Sequence, residues 1–99
     1  MLPEVRPEID TDRETAEEPP YSIIIHNDDV TPMDFVVRVL RTIFLLSAPR
    51  ALQVMYEAHF KGSAYVQSCT RSEAVKRVAS ASFAAGLEGY PLRFTIEKE

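Results

Sequence analysis

Tyr21, Ile23 and Ile25 alternate with Ser22, Ile24 and His26. This period of two in β-branched residues predicts a strand about six residues long. The pattern breaks over Asn27 to Val30 and resumes with helical spacing. Val36, Leu40, Ile43 and Met33, Val37, Leu40, Phe44 fall three or four apart up to about Leu46. Thr31, Pro32 and Asp34 predict how that helix starts, with the Thr31 hydroxyl as N-cap, a proline where a missing N–H costs nothing, and an acid three residues after the cap. A second helix is predicted over "SAPRALQVMYEAHFKG", with Ser47 as its cap, Pro49 in its first turn and Gly62 as its stop. "SAYVQSC" predicts a short strand. Thr70 and Glu73 form a capping box for a third helix, which Ala74, Val78, Ala81 and Ala85 continue until Gly86. Gly89 and Pro91 bracket a turn, and Leu92, Phe94 and Ile96 alternate in a last strand. The order is β-α-α-β-α-β. The expected class is α+β, a small two-layer sandwich with three helices on one face of a three-stranded antiparallel sheet.

Composition narrows this picture. The chain has 99 residues, 45% of them hydrophobic, which suits one domain with a modest core that buries roughly 60% of the unfolded surface. Residues 1 to 20 hold seven Asp or Glu against two Arg, with four Pro and few large apolar side chains. Burial there would not offset the entropy of ordering. The domain reading is therefore a disordered acidic arm over 1–20 and a folded core over 21–99. A net charge of -4 without any cluster of Lys and Arg argues against nucleic acid as a partner. No apolar run approaches the ~18 residues of a membrane span. The single Cys69 cannot form an internal disulfide, and the first ten residues lack the pattern of a signal peptide, so a cytoplasmic location is expected.

The chemistry concentrates in "IHNDDVTPMDF", residues 25 to 35. Met55 and His59, four apart, share a helix face that can approach this loop. Asn27 offers an amide oxygen, Asp28 and Asp29 carboxylates, and a neutral His59 one ring nitrogen. A primary ammonium carries three donors and needs three acceptors. The free α-amino terminus of a peptide supplies such an ammonium with a side chain beside it, for which Met33, Val36 and Met55 could wall a pocket. Each residue also has an ordinary structural role. Asx residues after a strand cap turns, methionines at helical spacing fill cores, and a helical His is commonly a surface residue. His26, His59, Asp28 and Asp29 could ligate zinc, but no H-x-x-x-H pair or second Cys accompanies them. No G-x-S-x-G element marks a nucleophile.

Taken in order, "NDDVTPMDFVVRVL", "VMYEAHFKGSA" and "GYPLRFTIEKE" closely resemble the ClpS adaptor family, which recognises N-degrons for AAA+ Clp proteases. The resemblance spans Tyr21 to Glu99. It implies a non-enzymatic adaptor without cofactor or metal, expected to be a monomer, which binds N-degron substrates beginning with Phe, Leu, Tyr or Trp and delivers them to a ClpA- or ClpC-type unfoldase. It assigns the α-amino contacts to Asn27, Asp29 and His59. It assigns the side-chain pocket to Thr31, Met33, Val36, Met55, Ala58 and Leu92, with Asp28 at the mouth and Met33 as a gate against β-branched first residues. It also implies that the N-terminal extension helps engage the unfoldase. Four positions depart from the family pattern. Val30 replaces a common aromatic, Ala58 a common Val and Gln67 a frequent Gly. In the third helix Ser72 stands at the acidic position of the unfoldase-docking surface, whereas Arg77 keeps the basic one. A peptide-binding module with a lost or different unfoldase partner is therefore the alternative, and a small hydrolase or metal protein a third reading.

Overall fold

The computed structural model describes residues 18–99. Its elements are β1 (Tyr21–His26), α1 (Met33–Thr42), α2 (Ala48–Lys61), β2 (Ser63–Cys69), α3 (Arg71–Glu88) and β3 (Arg93–Lys98). This is the order and class that the periodicities predict. Of the acidic arm expected over 1–20, residues 1–17 lie outside the described residues.

Strand β1 runs between β2 and β3, antiparallel to both. Its alternation decides which face is covered. Ile23 and Ile25 are buried under the helices, whereas Ser22, Ile24 and His26 are only half-buried on the opposite side. Helix α2 packs on β2 and α1, and α3 packs on β3 and β1. The buried positions of α3 are Ala74, Ala81 and Ala85, small side chains that let the helix axis come close to the sheet. Leu40, Phe44, Val54 and Val66 fill the space between the layers, with the Phe44 ring 4.8 Å from that of Phe94.

Register in the β1–β2 pair shifts between Ile23, opposite Gln67, and Ile24, opposite Tyr65, leaving Val66 as the extra residue of a bulge. The shift turns Gln67 toward the helices, where its side-chain amide donates to the Phe44 carbonyl at 3.0 Å and its oxygen accepts from Arg77 Nη1 at 2.7 Å.

Three helix boundaries differ from expectation. Thr31 does not cap α1. Its hydroxyl donates to Asp28 Oδ2 at 2.9 Å, Pro32 is the N-cap, and no side chain caps that end. Helix α1 also stops at Thr42 rather than near Leu46, because Phe44 has to turn into the core. Leu45 takes φ 60 to allow this, with its side chain in solvent and Leu46 N donating to Leu40 O at 3.1 Å. A left-handed Leu costs on the order of 1–2 kcal/mol, and without a glycine the sequence does not announce it. Helix α3 runs through Gly86 to Glu88. The residue with the left-handed φ is Gly89, at φ 78, where Tyr90 N donates to Ala85 O and Gly89 N to Gly86 O, the two bonds of a Schellman motif. Helices α2 and α3 otherwise begin at Ser47 and Thr70, whose side chains accept from Arg50 N and Glu73 N.

Gly62 ends α2 at φ 94, donating to Ala58 O at 2.8 Å and accepting from Asn27 N at 2.9 Å. A Cβ at this position would meet nothing within 4 Å. Gly62→Ala should therefore cost only the left-handed backbone term, about 1–2 kcal/mol, read as a lower urea midpoint with unchanged m value. A loss within a few tenths of a kcal/mol would show that the α2 terminus relaxes freely.

Candidate functional site

The loop after β1 is built by one carboxylate. Asp28 Oδ1 accepts from Val30 N at 2.8 Å and Thr31 N at 2.7 Å, while Oδ2 takes the Thr31 hydroxyl. Burial works to raise the Asp28 pKa, but the bonds from Thr31 and Val30 together outweigh it and hold the carboxyl below its ordinary range. Asp28 thus spends its acceptors on its own loop. The Asn27 amide, the Asp29 carboxylate and the His59 ring have no hydrogen-bond partner among the described residues, and all three side chains are exposed. The ladder bond from Asn27 N to Gly62 O holds the loop against the end of α2, one turn from His59.

Beneath these groups lies a cavity of about 320 Å³. All ten residues read from the sequence as amino-group or side-chain contacts line it: Asn27, Asp28, Asp29, Thr31 and His59 as polar groups, and Met33, Val36, Met55, Ala58 and Leu92 as apolar ones. Val36, Met55, Ala58 and Leu92 are buried and form fixed walls, whereas Met33 is 42% exposed. Ile25, Val30 and Pro32 border the cavity too. The signal for Ile25 was its inward parity at the last turn of the strand alternation, and for Pro32 its place between two lining residues. His26 also borders it, but its ring is engaged elsewhere, with Nε2 2.7 Å from Thr95 Oγ1. Burial and then the Arg93 charge push the His26 pKa down, with Glu97 opposing. Among the described residues no three His, Cys, Asp or Glu side chains group as metal donors.

The family model for the ATP-dependent Clp protease adaptor protein ClpS matches residues 16–95. The chain belongs to the ClpS family. It is 40% identical over 81 residues to the ATP-dependent Clp protease adapter protein ClpS of Desulforapulum autotrophicum, covering 82% of this chain and 78% of the relative. It is 39% identical over 99 residues to ClpS 2 of Mesorhizobium japonicum, covering 94% and 98%. Among solved structures, Agrobacterium tumefaciens ClpS2 bound to L-phenylalaninamide superposes with a TM-score of 0.80 at 37% identity, over 84% of this chain and all of that one.

Ser72 and Arg77, the two positions that the ClpS resemblance places on the unfoldase side, lie on α3 and do not line the cavity. Ser72 is exposed beside Thr70, their hydroxyls 3.4 Å apart. Arg77 is half-buried and engaged on both arms, by Gln67 at 2.7 Å and by Glu73 at 3.6 Å.

Because the folded Asp28 pKa is lowered, its stabilising contribution is fully present above the ordinary value of 3.8 and is lost as pH falls through the lower folded value. Asp28→Ala should lower stability at pH 7 by about 1 kcal/mol, since the bonded groups are partly solvated. It should also reduce the acid destabilisation expected below about pH 4. Urea titrations of both proteins at pH 7 and pH 3 measure this. Parallel losses on acidification would place the acid-labile group elsewhere.

Proposed function

We propose that this chain is a non-enzymatic Clp protease adaptor. It binds the free α-amino group and the bulky first side chain of N-degron proteins beginning with Phe, Leu, Tyr or Trp, and passes them to a ClpA- or ClpC-type unfoldase. The observation that carries this reading is the pairing of three acceptors that have no hydrogen-bond partner among the described residues, Asn27, Asp29 and His59, with a cavity walled by Val36, Met55, Ala58 and Leu92 below them. Three acceptors of different chemistry match the three donors of an ammonium. A volume of about 320 Å³ is at the small end of ligand sites, which start at roughly 300 Å³. That is room for one side chain and its amino group, and the rest of a peptide must lie outside. Phenylalaninamide, the molecule bound to the Agrobacterium neighbour, has this outline: an ammonium, a benzyl group, and an amide where the next residue would begin.

The roles divide by position. Asn27 Oδ1 and Asp29 accept from the ammonium on the loop side. His59 accepts on the helix side through its unprotonated nitrogen, so protonating the ring removes that bond and places a cation against a cation. Val36, Met55, Ala58 and Leu92 receive the side chain. Ala58 widens the wall relative to the common Val, which suits the larger rings. Met33 stands half-exposed at the rim, where a thioether can exclude branching at Cβ. No bond is made or broken in these steps, and no cofactor takes part. On the docking side, residues 1–20, Ser72 and Arg77 would meet the unfoldase. The neutral Ser72 and the engaged Arg77 favour, as a second reading, the same peptide-binding module serving a different ATPase. Peptide binding without capture of either unfoldase type selects that reading.

The chain contains no Trp, so a peptide with N-terminal Trp reports its own binding by fluorescence. Acetylating its α-amino group should weaken binding by at least ~2 kcal/mol, about 30-fold, because charge-assisted hydrogen bonds are lost. Equal affinities would rule out ammonium recognition.

The gate has its own measurement. Wild type should bind Leu-initiated peptides far better than Ile- or Val-initiated ones, and Met33→Ala should narrow that gap by about tenfold, the order of one misplaced methyl group. An unchanged ranking in the variant would move the gate to another residue.

A further inference from the structure

Next to the cavity, α2 carries an apolar strip that the core does not use. Tyr56 is 49% exposed and Phe60 78% exposed, and their rings stack at 16° with centroids 6.3 Å apart. On a helix of 100° per residue, Met55, Ala58 and His59 share the cavity face, and Tyr56 and Phe60 follow on the His59 side. The two faces are joined physically, since the Phe60 ring meets the His59 ring edge-on with centroids 5.0 Å apart.

Contiguous exposed aromatic side chains, unlike singly scattered ones, mark interaction surfaces. Their position suggests what covers this one. When an ammonium is held by the His59 ring, the first residue's Cα lies within a few ångströms of the imidazole. Its side chain descends into the cavity, and its carbonyl leads the chain outward. The next Cα follows about 3.8 Å later, within side-chain reach of a ring centred 5.0 Å from the imidazole. We propose that Tyr56 and Phe60 form a second subsite, a ledge that receives an apolar side chain at the second position of the bound peptide. This rests on the ammonium-binding reading above and adds to it a preference at a position that the cavity cannot read. The ledge is continuous with the cavity through His59, so one peptide covers both.

The test is calorimetric titration with three probes: L-phenylalaninamide, which has no second residue, and two otherwise identical peptides beginning Phe-Leu and Phe-Gly. Wild type should bind the Phe-Leu peptide at least about fivefold tighter than Phe-Gly, the effect of partly burying one Leu side chain. In Phe60→Ser that ratio should fall to within about twofold, with phenylalaninamide affinity unchanged. Phe83→Ser, which removes an aromatic that is 68% exposed on α3 and does not line the cavity, should behave as wild type. A ratio that is the same in wild type and Phe60→Ser, with phenylalaninamide still bound, overturns the ledge alone and leaves the aromatic pair to an unfoldase or a second copy of the chain. Failure of phenylalaninamide to bind wild type overturns the ammonium reading and the ledge with it.

Discussion

The bond between Asn27 N and Gly62 O, 2.9 Å long, is the contact on which the site depends. It extends the β1–β2 ladder by one rung beyond His26 and Ser63, at the point where β1 leaves the sheet and α2 enters it. Gly62 makes this possible because its left-handed φ reverses the chain directly from the helix into β2 while its N–H closes the last turn on Ala58 O. The loop acceptors and the α2 face carrying Met55, Ala58 and His59 are thereby held to the same backbone junction. Without that rung the loop would leave the sheet at the His26–Ser63 pair, and its acceptors would lose their direct backbone tie to the end of α2.

Adjacent carboxylates in this loop have opposite fates. Asp28 turns inward and satisfies two backbone amides and a hydroxyl, and Asp29 is left facing solvent. A loop of this length with two free acids would repel itself and stay mobile. The N–H and O–H donors stabilise the Asp28 charge and tie it into the loop, which leaves the neighbouring Asp29 on the solvent side. The Asp28 bonds also fix the Thr31 hydroxyl on the loop side, where it donates to the carboxylate three residues back, and Pro32 takes the N-cap position in its place.

Much of the molecule is legible in the chain itself. Period-two and period-three-to-four patterns locate all six elements, and side-chain caps at Ser47 and Thr70 and the glycine at 62 place their helix ends to the residue. What escapes are features decided by tertiary contact. The early end of α1 follows from burying Phe44 against Phe94, and nothing local to Ile43–Leu46 signals it. Gly86 is a local stop signal that the helix overrides because the left-handed turn is taken at Gly89, which delivers Tyr90 to the Phe35 ring at 4.9 Å. The ten cavity residues were legible because loop acceptors and a helix face four residues apart can be paired on chemistry and resemblance. The aromatic ledge was not, since Tyr56 and Phe60 read as ordinary helix residues until their exposure is seen.

The bulge at Val66 ties one departure from the family pattern, Gln67, to Arg77 on α3. By shifting register it turns Gln67 under the helices, where a glycine could make neither the bond to Phe44 O nor the bond to Arg77. Gln67 therefore supplies a donor to the Phe44 carbonyl just beyond α1, and its oxygen engages the guanidinium that the resemblance places at the unfoldase. Glu73 holds the other arm, though a pair this exposed contributes little by itself. Ser72 removes an acid from the same helix turn. A partner approaching the start of α3 would meet the Ser72 hydroxyl and an Arg77 already engaged by Gln67 and Glu73, with Arg71 and Lys76 exposed nearby.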